Sequence, residues 1–240
     1  LGINLGVSLG PLVAGFLFNH YIPLIFIGDA ITSLIAVVLV LTNIEETLPD
    51  YSNSTCLNEE EKSEEGNALS VLMKRPKILF FLIINVFFNV VYTQHSFSLP
   101  MILDDVFGSN GASNFGVIMS CNALTVIVLT MFITHATRKW KSLNAISIAG
   151  ILYAIGFGMI AFISSMPLFL LSTIIWTIGE IIMVTNFGVY IANNTPQNFR
   201  ARFNAISSLS WAVGAALGTS LMGRYMDFFG VKAVWPLLFY

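Results

Sequence analysis

An acid in the middle of an apolar run is the residue that most needs an explanation. Glu180 stands near the centre of residues 167–191, a stretch otherwise dominated by Leu, Ile, Phe, Trp and small side chains. An ionised carboxylate at the centre of a membrane helix costs roughly 2.5–3.5 kcal/mol on insertion scales. Acids kept at that cost usually face a bundle interior or a watery cavity and mark ion or substrate pathways. Two chemistries fit: exchange of a proton, or binding of a cationic substrate. A structural role fits as well, with the acid protonated and hydrogen-bonded between helices. Asp29, about two turns into the apolar run 22–42, is a second acid of this kind; it either faces a cavity or keeps its head at the outer interface. Asn85, Asn89, Tyr92 and His95 follow the four-then-three spacing of one helical face. Such a wall suits varied organic ligands. It equally suits interhelical hydrogen bonds, worth ~0.6 kcal/mol each on average. Asn122, Asn186 and Tyr190 are further candidates for lining a cavity. Asp104 and Asp105 read as an exposed turn ahead of Gly108-Ser109-Asn110-Gly111.

Enzymatic arrangements are missing from the sequence. It has no clustered Cys/His set for a metal, no phosphate-cradling glycine loop followed by Lys-Ser/Thr, and no Ser/His/Asp arrangement, so no cofactor or metal is expected. The net charge of −2 is too small to imply nucleic acid. Cys56 lies in a polar stretch and Cys121 in an apolar one, which gives no disulfide framework.

The elements that must position these residues are set by composition. The chain is 56% hydrophobic and 10% charged, with a mean hydropathy of +0.80. Soluble domains carry roughly 25% charged residues. Apolar segments fall at about 1–18, 22–42, 78–100, 112–135, 143–164, 167–191, 203–223 and 231–240. In a bilayer the backbone must satisfy its own hydrogen bonds, so these segments predict helices. The fold class expected is all-α and polytopic: about seven full transmembrane helices and the start of an eighth, in a chain that reads as a fragment. Lys and Arg concentrate in alternate connections: Lys62, Lys74, Arg75 and Lys77; Arg138, Lys139 and Lys141; Arg200 and Arg202. Those connections should face the cytoplasm. Arg224 and Lys232 break the pattern, and Arg224 has Asp227 one turn on as a pairing partner. Residues 42–77 form the one long polar stretch, an acidic linker whose end, 67–77, predicts a short interfacial helix.

Small residues supply the packing surfaces. Gly2, Gly6, Gly10, Ala14 and Gly15 with Pro11 place a glycine face and a bend on the first segment. Gly214, Gly218 and Gly223 repeat the intervals of Gly6, Gly10 and Gly15, with Ser210 where Gly2 stands. Near-identical tetrapeptides follow, Pro23-Leu24-Ile25-Phe26 and Pro236-Leu237-Leu238-Phe239, so two halves share one plan.

On these residues the chain resembles the Major Facilitator Superfamily of secondary transporters. Gly6-x3-Gly10-Pro11-x3-Gly15 is similar to the later part of the fifth-helix motif of proton-coupled efflux members, with Ala14 in place of a glycine. Thr177-Ile178-Gly179-Glu180 followed by Thr195-Pro196 and Arg200-Ala201-Arg202 resembles the tenth helix and its loop. Tyr92-x-Gln94, Leu99-Pro100, Gly116 and Asn122-Ala123 resemble helices seven and eight of bacterial drug:proton antiporters. At 135–141 only Arg138, Lys139 and Lys141 remain of the family's loop signature. The resemblance implies helices five to eleven and the start of twelve: 1–44 as the last two helices of an N-terminal half, 45–77 as a cytoplasmic linker, and 78–240 as a C-terminal half incomplete at its end. It further implies alternating access in the plasma membrane. The activity implied is proton-driven efflux of small amphipathic compounds, with Glu180 and then Asp29 as coupling residues. The partners implied are a small-molecule substrate, protons and the lipid bilayer; the sequence does not set an oligomeric state. A proton-coupled nutrient importer of the same fold and a non-transporting receptor or scaffold are the alternatives.

Overall fold

The computed structural model describes residues 21–44 and 67–238. The first copy of the glycine face (Gly6, Gly10, Pro11 and Gly15) and the acidic linker through residue 66 lie outside the described residues. The chain divides into two compact units, residues 1–54 and 55–240.

In the first unit, helix α1 runs Ile22–Asn43, with Pro23 in its opening turn, where a missing N–H costs nothing. Its 22 residues extend about 33 Å, enough to cross a hydrocarbon core of about 30 Å. Thr32 and Thr42 hydroxyls and the Asn43 amide donate back to carbonyls on their own helix, so these three side chains need no partner outside it.

The second unit holds α2 (Ala68–Met73), α3 (Pro76–Tyr92), α4 (Ser98–Phe107), α5 (Gly111–Thr137), α6 (Ser142–Met159), α7 (Met166–Asn194), α8 (Arg200–Phe229) and α9 (Val234–Leu237). No strand occurs among the described residues. Helix α2 sits where a short helix is expected at the end of the linker. The spans expected at 143–164, 167–191 and 203–223 are α6, α7 and α8, each shifted or extended by a few residues. Five stretches of the described chain are long and apolar enough to cross a membrane. One of them, Pro76–Thr137, contains two expected spans and the reversal between them.

That stretch corrects the sequence reading. The expected span 78–100 is not one helix: it breaks into a 3₁₀ turn at Thr93–His95, and α4 resumes at Ser98. Pro100 is the physical reason. It has no N–H and its ring would crowd the carbonyl four residues back, so it is accommodated only in the first turn of a new helix. Polar side chains bridge the break: Gln94 Nε2 donates to the Val90 carbonyl at 2.8 Å, and Ser98 Oγ donates to Gln94 Oε1 at 2.5 Å. Asp104 and Asp105 therefore lie on helix α4, exposed, and not in a turn. The reversal comes later, where Gly108 at φ +55° ends α4 and Gly111 opens α5 against it. A Cβ on Gly111 would stand 2.7 Å from the Asp104 Cα.

Helix α7 packs against α6 on one side and α5 on another, while α3 packs along α8. The glycine face of α8 makes the second contact possible. A Cβ on Gly214 would meet the Val86 carbonyl and Asn89 Cβ at 2.6 Å, and one on Gly218 the Val90 carbonyl at 2.9 Å. Gly223 is looser, with Phe97 at 3.4 Å.

The core separates into two apolar clusters. One gathers Phe81, Leu82, Ile146, Ile182, Ile191 and Phe203 at the end that carries the basic connections. The other gathers Leu103, Ile118, Phe157, Phe169, Trp176 and Trp235 at the opposite end. At the basic end, Arg75 Nη1 donates to the Asn194 carbonyl at 2.7 Å and Arg200 Nη2 to the Ala192 carbonyl at 3.2 Å. Both cations thus satisfy the closing carbonyls of α7 and complement its dipole. At the other end the pairing differs from expectation. Arg224 and Asp227 form no ion pair, and Asp105 on α4 takes Lys232 at 3.6 Å instead. Both partners are more than half exposed, so the pair adds little.

Candidate functional site

Between the two apolar clusters lies a polar layer. Glu180 is fourteen residues from each end of α7. One helical turn earlier, Thr177 is fully buried on the same helix. Asn122, from α5, donates from one Nδ2 to both: 2.9 Å to Thr177 Oγ1 and 2.9 Å to Glu180 Oε2. The hydroxyl of Tyr92, the last residue of α3, is a further side-chain partner of Glu180. Tyr92 is stacked on Tyr153 of α6 at 5.8 Å, which fixes the ring that carries this hydroxyl.

In front of Glu180 opens a cavity of about 430 Å³. Helix α3 contributes Asn85, Phe88, Asn89 and Tyr92; α6 contributes Tyr153; α7 contributes Glu180, Met183, Val184 and Phe187; α8 contributes Asn204, Ser207, Ser208 and Trp211. Glu180 is the one formal charge among the described residues lining it. Five of the walls are aromatic and the remaining polar groups are amides and hydroxyls. A cavity of this size and make-up has room for a small organic molecule, and its carboxylate can exchange a proton or face a cation. No group of three or more His, Cys, Asp or Glu that could hold a metal occurs among the described residues.

The residues singled out from sequence divide. Glu180, Asn85, Asn89 and Tyr92 come together in this cavity. Asn85 also does the bland task, donating to Ser210 Oγ at 2.8 Å and so tying α3 to α8. Asn89 donates to the Asn85 carbonyl at 2.7 Å. Asn122 is behind the carboxylate and not on the cavity wall. His95 is one turn beyond the wall at the α3 break, with Nδ1 on the Tyr92 carbonyl at 2.6 Å and its ring against Tyr92 and Trp176. Asn186 donates to the Ile182 carbonyl of its own helix at 2.9 Å. Tyr190 packs on Phe81 at 4.2 Å inside the apolar cluster of the basic end. Neither Asn186 nor Tyr190 lines the cavity. Asp29 is exposed on α1 in the other unit. Gly214 and Gly218 are packing residues of the α3–α8 contact.

Sequence reasoning passed over the α8 wall and Tyr153. The signal for the former was present: Ser207-Ser208-x-Ser210-Trp211 interrupts an apolar span with hydroxyls and an indole. Tyr153 gave no such signal, because a lone Tyr in an apolar helix is as well explained by packing.

Residues 1–219 match the family described as the Major Facilitator Superfamily. The chain belongs to that superfamily. Among curated relatives of this Major Facilitator chain is an uncharacterized MFS-type transporter, YhjO, of Bacillus subtilis (strain 168). It is 24% identical over 233 residues, covering 97% of this chain and 55% of the relative. A second is a Na(+), Li(+), K(+)/H(+) antiporter of Planococcus maritimus, 23% identical over 238 residues, covering 88% of this chain and 54% of the relative. A third, the uncharacterized MFS-type transporter YttB of the same Bacillus, is 22% identical over 239 residues. The chain spans about half the length of the curated relatives it matches. The relatives' names are those of membrane transporters, and five stretches of the described chain are long and apolar enough to cross a membrane.

Proposed function

We propose that this chain forms part of a secondary transporter that exports small amphipathic compounds in exchange for protons. Glu180 is its coupling residue. The observation that carries this reading is the lone carboxylate at the midpoint of α7, facing a cavity of aromatic, amide and hydroxyl walls. Transport follows by alternating access: the cavity opens to one face, Glu180 exchanges a proton for ligand, and the opening moves to the other face. Asp29 is the second coupling candidate, on α1 of the separate unit. In this reading residues 1–44 close an N-terminal half, 45–77 are a cytoplasmic linker, and 78–240 belong to a C-terminal half. The basic connections face the cytoplasm, and the protein resides in the plasma membrane.

The test is flux in proteoliposomes containing the whole protein. With ethidium as the first probe of a broad panel, an inward proton gradient drives export, and Glu180→Gln abolishes it while the protein still inserts. Normal gradient-driven flux in Glu180→Gln removes Glu180 from the mechanism. Flux of the probe along the proton gradient, not against it, makes the protein an importer.

A second reading is favoured by the Planococcus relative, whose name specifies exchange of Na(+), Li(+) and K(+) for H(+). The same carboxylate would then alternate between a proton and an alkali cation. Proton release on adding Na(+), Li(+) or K(+) in the absence of any organic compound distinguishes the two.

A further inference from the structure

Helix α5 is anchored to α7 through one polar fixture. Along its length α5 packs against α7, and at its opening it turns back on α4. Most of its other surface is exposed and apolar, as at Leu124, Val128, Met131 and Phe132. The side-chain hydrogen bonds between α5 and α7 among the described residues both come from Asn122: one to Thr177, one to Glu180. An Asn Nδ2 carries two hydrogens, and here each has its own acceptor. Thr177 is fully buried and holds the amide in place. The second hydrogen is thereby aimed at Glu180 Oε2.

This fixture depends on charge. A bond from a neutral amide to an ionised carboxylate is roughly twice as strong as one to a neutral acid. No other charged group competes for Glu180 among the described residues around it. From α3 and α6 it is faced by the phenols of Tyr92 and Tyr153; from α8 the cavity receives Asn204, Ser207 and Ser208, none of them ionisable. His95 turns its Nδ1 to the Tyr92 carbonyl.

We propose that Asn122 is the positioning residue of Glu180 and reports its charge to α5. Held on Thr177, the amide pins one carboxylate oxygen, and the proton or cation in the cavity meets the carboxylate beside the Tyr92 hydroxyl. When Glu180 is ionised and unliganded, α5 is drawn against α7. When it is neutralised, the contact relaxes. Asn122 thus converts occupancy at the site into a movement between two helices. The proposal rests on Glu180 being the coupling residue.

The test needs protons alone. Spin labels at Val117 on α5 and Leu171 on α7, both exposed, report the interhelix distance in the whole protein in nanodiscs during a pH titration. The wild-type distance widens on acidification, by on the order of 1–2 Å, as helix shifts of this kind do. Asn122→Ala holds the wider distance at every pH, and so does Glu180→Gln. If Asn122→Ala does not insert, Thr177→Val removes the anchor and gives the same loss of pH response in part. A wild-type distance that ignores pH overturns the proposal. So does an Asn122→Ala or Thr177→Val titration that matches wild type. The reading of Glu180 itself is judged separately by ethidium flux: loss of flux in Glu180→Gln together with an unchanged Asn122→Ala titration rejects this inference alone.

Discussion

Two polar side chains singled out with Glu180, Tyr92 and Asn186, make opposite predictions. Tyr92 lends a hydroxyl and an aromatic wall at once. Tyr92→Phe keeps the wall and removes the hydroxyl, so ligand affinity in a binding assay changes less than about threefold while proton-driven flux falls further. Asn186, by contrast, donates into its own helix. Asn186→Ala leaves flux within about twofold of wild type, and a loss as deep as that of Glu180→Gln would return Asn186 to the site. The sequence made Glu180 legible, because an acid at mid-span needs a reason. It did not sort Asn85, Asn122 and Asn186, since the direction of an amide depends on which neighbouring helix it meets. Asn85 reaches Ser210, Asn122 reaches Glu180, and Asn186 reaches neither.

Among the elements, the pairing of α3 with α8 has the sharpest consequence. Gly214 and Gly218 meet α3 backbone atoms, which cannot rotate away as a side chain can. Gly214→Val and Gly218→Val each destabilise the protein by roughly 1–3 kcal/mol, read as a lowered unfolding midpoint in detergent. Gly223→Ala is close to neutral, because its space is bounded at 3.4 Å by the ring of Phe97. The interval pattern of these glycines was readable before any helix was placed, since small residues at every fourth or fifth position have few uses other than close approach. The break at Thr93–His95 was not. Periodicity ran on through Pro100 without interruption, and only the geometry of the ring places the new helix start two residues before it.

At the scale of the molecule, the charge pattern along the chain predicts a topology. Single cysteines at Lys139 and Arg202 are labelled by an impermeant maleimide only from the cytoplasmic side, and one at Lys232 only from outside. Labelling of Lys139→Cys from outside inverts the arrangement. The position of Glu180 on α7 adds an electrical property. In the proposed exchange, with fourteen residues of α7 on either side of Glu180, a charge moving from either face to this carboxylate crosses about half of the transmembrane voltage. A full crossing is worth about 2.3 kcal/mol per 100 mV, so each half-step carries about 1.2. Under that exchange, membrane potential weighs on loading and on release in equal parts, and neither step alone is the voltage-dependent one.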